Sequence, residues 1–128
     1  FSMHCKDNYF SKKETSDIDV ELPPNTSDEE YLSTLNAWLS KLFDMVKPQL
    51  VFFQAGVDIF EGDRLGKLSI SREGLWRRNA AVFKEIIARD LKCVVTMGGG
   101  YVPDFEFVCA LCLTKSAFAF SYLTYVPK

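Results

Sequence analysis

The sequence has little of several features that mark particular protein classes. Its 15 basic and 17 acidic side chains give a net charge of −2, without the clustered positive charge that sequence-independent nucleic-acid binding requires. Four cysteines in apolar surroundings are too few for a disulfide framework. No charged segment followed by an apolar one marks a secretion signal. We therefore expect an intracellular protein, nuclear or cytoplasmic with an organellar location left open, that binds neither nucleic acid directly nor a membrane.

What the sequence does contain is the composition of one globular domain. Its 128 residues are 48% hydrophobic and 25% charged, and a domain of that size buries roughly two-thirds of its unfolded surface. The chain begins with Phe1 rather than Met. We expect from this that it is either processed or cut from something longer.

The first half of the chain predicts a strand and then a helix. Ile18, Val20 and Leu22 alternate with acidic residues, which is the pattern of a half-buried strand. Residues 27–30, Ser-Asp-Glu-Glu, form a capping box that begins a helix, and its apolar stripe continues until Pro48 ends it.

The second half repeats the order of strand and helix. Residues 50–57 are a continuous apolar run, which is typical of a parallel strand buried on both faces. Ser71 is placed to cap a second helix, and residues 93–97 form a second apolar strand before three glycines. Two parallel strands joined by a crossover helix indicate the α/β class. We predict an open parallel sheet with flanking helices in three layers.

The last segment, residues 102–128, is crowded with aromatic and apolar side chains without a clear period. Glu106 and Lys115 make it a poor membrane span, since a span needs about 20 predominantly apolar residues. A tail that docks on the sheet is the favoured interpretation, and a segment not selected to fold here stays open. Cys109 and Cys112 form a C-x-x-C pair that lacks a partner pair, so we interpret both as buried structural thiols.

Two loops follow the predicted strands, and ligands of open α/β sheets bind beyond the carboxyl ends of strands. The first loop carries Asp58, Glu61 and Asp63, and the second places Tyr101 after three glycines. A carboxylate that holds a metal and a phenol that stabilises an oxyanion suit metal-assisted attack on a carbonyl. Taken singly, each residue has a simpler interpretation, because an aspartate beside glycine often forms a turn and a tyrosine often only packs.

The two loops together carry a longer motif. Residues 55–71 read Ala-Gly-Val-Asp-Ile-Phe-Glu-Gly-Asp-Arg-Leu-Gly-Lys-Leu-Ser-Ile-Ser, and residues 98–101 read Gly-Gly-Gly-Tyr. This pair resembles the zinc-dependent histone deacetylase family, most closely its class IV and its bacterial and plant members. The opening Phe-Ser-Met-His, residues 16–19 and residues 28–32 match in order and spacing. The resemblance implies the C-terminal half of an arginase/deacetylase-like domain over residues 1–101, with residues 102–128 as a divergent tail.

The resemblance also implies roles for individual residues. Asp63 is then one of three zinc ligands, and the Tyr101 hydroxyl donates to the acyl carbonyl and stabilises the tetrahedral intermediate. Ser2 and the carbonyl of Met3 match contributors to a monovalent-cation site, which K⁺ would occupy. Four positions match the channel that receives the acyl-lysine side chain: Phe10, Ile70, Gly99 and Gly100. Ser11 stands where the family usually has proline.

Several groups that the family uses are missing from this sequence. The family's other zinc ligands come from an upstream Asp-x-His motif and its general base from a His-His pair, whereas His4 is the single histidine and matches neither. One carboxylate cannot hold zinc tightly, because a catalytic zinc normally has three protein ligands.

We therefore weigh three hypotheses. The first is a partial zinc-dependent deacylase that acts on an acetylated lysine of a histone or other protein, in chromatin regulation, or on a small acetyl amide. The second is a non-catalytic truncated or splice-derived fragment. The third is an unrelated small α/β binding module.

Overall fold

A computed structural model describes residues 1–9 and 11–102 of the chain. The predicted tail beyond residue 102 and its C-x-x-C pair lie outside the described residues, so the division at residue 101 stays a prediction. No helix in the described part is long and apolar enough to cross a membrane. The order of elements is β1 (Ser2–Cys5), β2 (Asp19–Leu22), α1 (Asp28–Val46), β3 (Leu50–Gln54), α2 (Arg72–Ala88) and β4 (Lys92–Thr96).

Helix α1 begins and ends where the sequence predicts. The Glu30 N–H donates to Ser27 Oγ over 3.5 Å and the Ser27 N–H donates to the Glu30 carboxylate over 3.1 Å, so the capping box is complete. At the other end Lys47 adopts a left-handed conformation with φ of 49°, and its N–H donates to the Phe43 carbonyl. The apolar stripe lies in the core with these buried residues: Tyr31, Leu32, Leu35, Leu39 and Phe43.

Helix α2 is capped by Ser71, as predicted, and is linked to the start of α1. Ser71 Oγ accepts the Gly74 N–H over 3.0 Å. The Asp28 carboxylate accepts both the N–H and the hydroxyl of Ser71, over 2.7 and 2.5 Å. A side chain at Gly74 would collide with this carboxylate, since its Cβ would lie 2.1 Å from Asp28 Oδ1. The N-terminal ends of the two helices are therefore held together by one carboxylate.

The strands pair in parallel, which confirms the α/β prediction. In the described residues they form two separate two-stranded sheets, β1 with β2 and β3 with β4. The unit β3–α2–β4 is the predicted pair of parallel strands with a crossover helix. Strand β1 was not predicted, because the sequence Ser-Met-His-Cys has no alternation and its pairing with β2 spans a long connection.

The prediction that β3 is buried on both faces is wrong for the described structure. Val51 and Phe53 pack against the core, and the Phe53 ring meets Phe83 of α2 edge-on with centroids 5.8 Å apart. On the opposite face Phe52 is 69% exposed and Val94 of β4 is 42% exposed. The two helices cover one face, and no element of the described part covers the other.

Candidate functional site

The loops that follow β3 and β4 stay in contact after the strands end. The Ala55 N–H donates to the Thr96 carbonyl over 3.0 Å. Further along, the N–H groups of Val57 and Asp58 both donate to the Gly99 carbonyl, over 2.7 and 3.2 Å. The carboxyl ends of these neighbouring parallel strands thus form one edge, where ligands of α/β sheets bind.

Two glycines permit this close approach. A Cβ on Gly98 would lie 2.7 Å from the Gly56 Cα, and a Cβ on Gly99 would lie 2.4 Å from Asp58 Oδ2. Side-chain carbons do not approach other atoms so closely, so a larger residue at position 98 would push the two loops apart, and one at position 99 would displace the Asp58 carboxylate. The predicted role of Gly99 in the channel remains a prediction.

Asp63 connects the two loops. Its Oδ1 accepts the N–H groups of Leu65 and Gly66 over 2.8 and 2.7 Å, which fixes the turn of its own loop. Its Oδ2 accepts the N–H of Tyr101 over 2.6 Å. The neighbouring Arg64 donates its Nε–H to the Tyr101 carbonyl over 3.0 Å. The structure therefore brings together the two residues that the sequence singled out for chemistry, although their roles stay predictions.

A second carboxyl group lies beside Asp63. Burial of Asp58 raises its pKa, and the negative charge of Asp63 adds to the rise. Perturbed carboxyl pKa values in a crevice are a feature of functional sites, because catalysis needs groups tuned away from their ordinary range. The sequence did not distinguish Asp58 from the other two carboxylates of its loop. Its partial burial depends on the close approach of Gly99, which the sequence does not reveal.

Arg78 is a site residue that the sequence interpretation missed. Its side chain is 5% exposed, and its guanidinium donates to the carbonyls of Gly56 and Ala55 over 3.0 and 3.4 Å. It also lies over the Phe53 ring, 5.5 Å from the centroid. The signal was present, because Arg78 stands three residues after Leu75 on the apolar side of α2. A buried arginine on the apolar side of a helix indicates that its guanidinium has a structural or functional role at that place.

Ser2 and Met3 border a cleft of about 660 Å³ between β1 and β3, which Asp58 and Gly99 also line. The Ser2 hydroxyl hydrogen-bonds with Nδ1 of His4 over 2.8 Å. The predicted cation contributors therefore face the same cleft as the half-buried Asp58 carboxyl group. Whether they hold a cation stays a prediction.

Ile70, which the resemblance places on the channel rim, is fully buried in the described structure. Its N–H donates to the Ile59 carbonyl and its own carbonyl accepts the Glu61 N–H, which draws the segment into the core. The implied place of Ile70 on the channel rim stays a prediction. Phe10 lies outside the described residues, and Gly100 is half-buried in the loop before Tyr101.

The described residues alone do not make a zinc site. No group of three or more histidine, cysteine, aspartate or glutamate side chains is placed among them to hold a metal. Asp63 nevertheless fits one ligand position. Its Oδ2 accepts a single N–H and each carboxylate oxygen offers two lone-pair positions, so one position remains for a cation.

Comparison with known proteins gives a consistent family. The histone deacetylase domain matches residues 1–115 of the chain. An uncharacterized protein of Picosynechococcus sp. is 46% identical over 104 residues, which cover 81% of this chain and 35% of that protein. Histone deacetylase 2 of Arabidopsis thaliana is 36% identical over 94 residues, 73% of this chain and 24% of that protein. The chain thus spans about a third or less of the length of these relatives.

A solved structure shows the same fold. The crystal structure of an acetylpolyamine aminohydrolase from Burkholderia pseudomallei superposes with a TM-score of 0.60 at 17% sequence identity. The match covers 80% of this chain and 27% of that one. The strands and helices described above are therefore part of an arginase/deacetylase-type fold.

Proposed function

The chain belongs to the histone deacetylase family, and on that premise we propose that it supplies part of the centre of a zinc-dependent deacylase. The reaction is hydrolysis of an Nε-acetyl-lysine, of a histone or another protein, or of a related small acetyl amide. The observation that carries the proposal is the 2.6 Å hydrogen bond from the Tyr101 N–H to Asp63, which joins the two candidate groups at one edge.

The Tyr101 hydroxyl is the group that stabilises the negative charge developing on the acyl carbonyl oxygen. A phenol hydroxyl donates a hydrogen bond to the acyl carbonyl oxygen, and the bond strengthens as that oxygen becomes negative in the tetrahedral intermediate. Asp63 and Arg64 hold the Tyr101 backbone from both sides, which supports a fixed position for that donor. When bound, zinc polarises the carbonyl and activates water, and Asp63 is the residue of this chain that would hold it.

By itself the chain is expected to have no hydrolase activity. The described residues place one candidate ligand at the edge and not three, and catalytic groups that act as a unit lose most of their effect when members are absent. We therefore propose that the isolated chain is a non-catalytic fragment. The deacylase activity is proposed for the complete domain to which the chain contributes. We also propose that Ser2 and the Met3 carbonyl contribute to a K⁺ site.

A chimera tests this proposal. The 94 matched residues of Arabidopsis histone deacetylase 2 are replaced by the corresponding residues of this chain, and hydrolysis of an acetyl-lysine peptide is measured with and without a zinc chelator. We expect activity that the chelator removes. Asp63→Asn should lower this activity by at least about 100-fold, because even the groups that only orient a metal ligand are worth about 10- to 100-fold. Glu61→Gln, in the same loop, is the matched control and should retain activity. If the folded Asp63→Asn chimera hydrolysed the peptide as fast as the parent chimera, the proposal would be refuted.

A further inference from the structure

The first backbone carbonyls after β3 bind one buried side chain. Those of Ala55 and Gly56 accept hydrogen bonds from the Arg78 guanidinium over 3.4 and 3.0 Å. Successive carbonyls of a strand point to opposite sides, so two that meet one guanidinium mark the point where the backbone leaves the strand. The loop that leads to Asp63 begins at this point. Arg78 of α2 therefore contacts the loop at its first residues.

The core holds the guanidinium itself in place. It lies over the Phe53 ring of β3, 5.5 Å from the centroid, and that ring packs edge-on against Phe83 of α2. Arginine suits this place better than lysine, because its planar fork offers several donors in fixed directions whereas an ammonium is a compact point charge. The position of the two carbonyls is thus tied to β3 and α2.

Arg78 is a costly residue if stability alone is considered. Its Nε is buried without a hydrogen-bond partner among the described residues, and burial of a charge costs free energy that an apolar side chain would not. Burial raises the pKa of Asp58, and the positive charge of Arg78 opposes this rise. Folded proteins break the rules of core packing chiefly at functional sites. The buried charge beside the candidate site thus points to a role in that site.

A short series of hydrogen bonds connects the start of the loop to the candidate ligand. The Val57 carbonyl, next to Gly56, accepts the Phe60 N–H over 3.0 Å. The Phe60 carbonyl accepts the Asp63 N–H over 3.0 Å in turn. Asp63 then accepts the Tyr101 N–H through its Oδ2. A displacement at Gly56 would therefore be passed along two turns to the contact between the two candidate groups.

The second loop packs at the same place. A Cβ on Gly98 would lie 2.7 Å from the Gly56 Cα, so the two glycines are in close contact. The neighbouring Val57 N–H donates to the Gly99 carbonyl over 2.7 Å. Gly56 is thus in contact both with the Arg78 guanidinium and with the loop that leads to Tyr101. One side chain of α2 therefore supports the junction of both site loops.

We propose that Arg78 is a positioning residue of the candidate site, whose guanidinium fixes the start of the first loop so that Asp63 and Tyr101 meet in the geometry that the reaction needs. The proposal rests on the proposed function and gives a role to a residue that does not touch the substrate. Loss of the fork should lower kcat and leave KM nearly unchanged, because the Tyr101 hydroxyl stabilises the transition state more than the bound substrate.

Amide exchange in the isolated 128-residue chain tests the structural part and needs no activity. Arg78→Met keeps the length of the side chain and removes its donors. We expect the amides of Val57, Asp63 and Tyr101 to exchange about three- to tenfold faster than in the parent chain, because the hydrogen bonds that protect them are weakened. If Arg78→Met does not fold, as judged by circular dichroism, Arg78→Lys takes its place in the same measurement.

Two controls accompany the exchange measurement. The Lys6 amide, which donates to the Leu22 carbonyl in the other sheet, should change by less than about twofold. Arg77→Met, on the exposed side of the same helix, should leave all these amides unchanged. Unchanged exchange of the loop amides would overturn the proposal. Equal acceleration at Lys6 would also overturn it, since Arg78 would then serve the stability of the whole chain.

Kinetics of the chimera with Arabidopsis histone deacetylase 2 test the functional part. Arg78→Lys keeps the charge and loses the fork, and we expect it to lower kcat by about 10- to 100-fold, as for groups that orient a ligand. KM should stay within about threefold of the parent value. Each rate is divided by the folded fraction from circular dichroism, and Arg77→Lys is the matched control with unchanged kcat.

The outcomes separate this proposal from the proposed function. A folded parent chimera without activity would refute the proposed function, and the exchange measurement would then decide the role of Arg78. A chimera that is active and sensitive to Asp63→Asn, but has full kcat as Arg78→Lys, would refute the positioning role alone. A raised KM with unchanged kcat would also refute that role, because it would show a loss of substrate binding.

Discussion

Replacing Gly74 by alanine should destabilise the chain, although the same change in a helix usually stabilises. Alanine exceeds glycine in helix propensity by about 1 kcal/mol. At this position, however, the new Cβ would lie 2.1 Å from Asp28 Oδ1. The carboxylate must move, and it then loses its bonds to the Ser71 N–H and hydroxyl. Each of the two bonds to this charged group is worth about 1.5–3 kcal/mol, so the net cost is about 2–5 kcal/mol after the propensity gain.

A double-mutant cycle with Asp28→Ala makes this reasoning testable. Without the carboxylate the obstacle is gone, so Gly74→Ala should then stabilise by up to about 1 kcal/mol. The sign of the Gly74 effect should therefore reverse between the two backgrounds. Urea unfolding followed by circular dichroism measures all four free energies of unfolding. The same effect in both backgrounds, or a stabilising Gly74→Ala in the parent chain, would refute the link between the helix ends.

Three further predictions concern the site loops. Asp63→Asn should speed exchange of the Tyr101 amide about three- to tenfold, as expected for loss of one exposed hydrogen bond to a carboxylate, while Glu61→Gln leaves it unchanged. Because burial raises the pKa of Asp58 from its ordinary 3.8, the folded state binds its proton more tightly than the unfolded state, so its carboxylate costs stability as pH rises above that value. Asp58→Asn should therefore be more stable than the parent at pH 7, with the difference shrinking toward pH 4 in urea titrations. Gly66→Ala should cost about 2–4 kcal/mol in the same assay, since its Cβ would lie 1.6 Å from the Asp58 carbonyl oxygen. A cost below 0.5 kcal/mol would count against the packing of this loop.

The two helices could be predicted from the sequence because their signals are local. The capping box at Ser27, the cap at Ser71 and the apolar spacing each lie within one turn or one face of a helix. Pairing of β1 with β2 could not be predicted, since four residues carry no period and their partner is far along the chain. The exposure of one face of β3 could not be predicted either. An apolar run indicates that both faces of a strand are suited to burial, but not whether another element covers them, and here no described element covers this face.

The candidate site was predictable only in part. The motif around Asp63 and the order of strands together indicated that this residue and Tyr101 share one edge. Which atoms meet could not be read from the sequence, because the contact uses the backbone of Tyr101 rather than its side chain. The burial of Asp58 and Arg78 depends on how closely Gly99 approaches and on where α2 crosses the end of β3. Such distances result from packing across the whole fold.

The most direct test of the central claim is Tyr101→Phe in the chimera with Arabidopsis histone deacetylase 2. The substitution removes one hydroxyl and keeps the ring, and loss of an oxyanion donor lowers kcat by about 100- to 1,000-fold. Tyr9→Phe makes the same chemical change at a tyrosine that is 75% exposed and serves as the control. We predict that acetyl-lysine hydrolysis falls by that factor in Tyr101→Phe and is unchanged in Tyr9→Phe. Full activity of a folded Tyr101→Phe chimera would contradict the account.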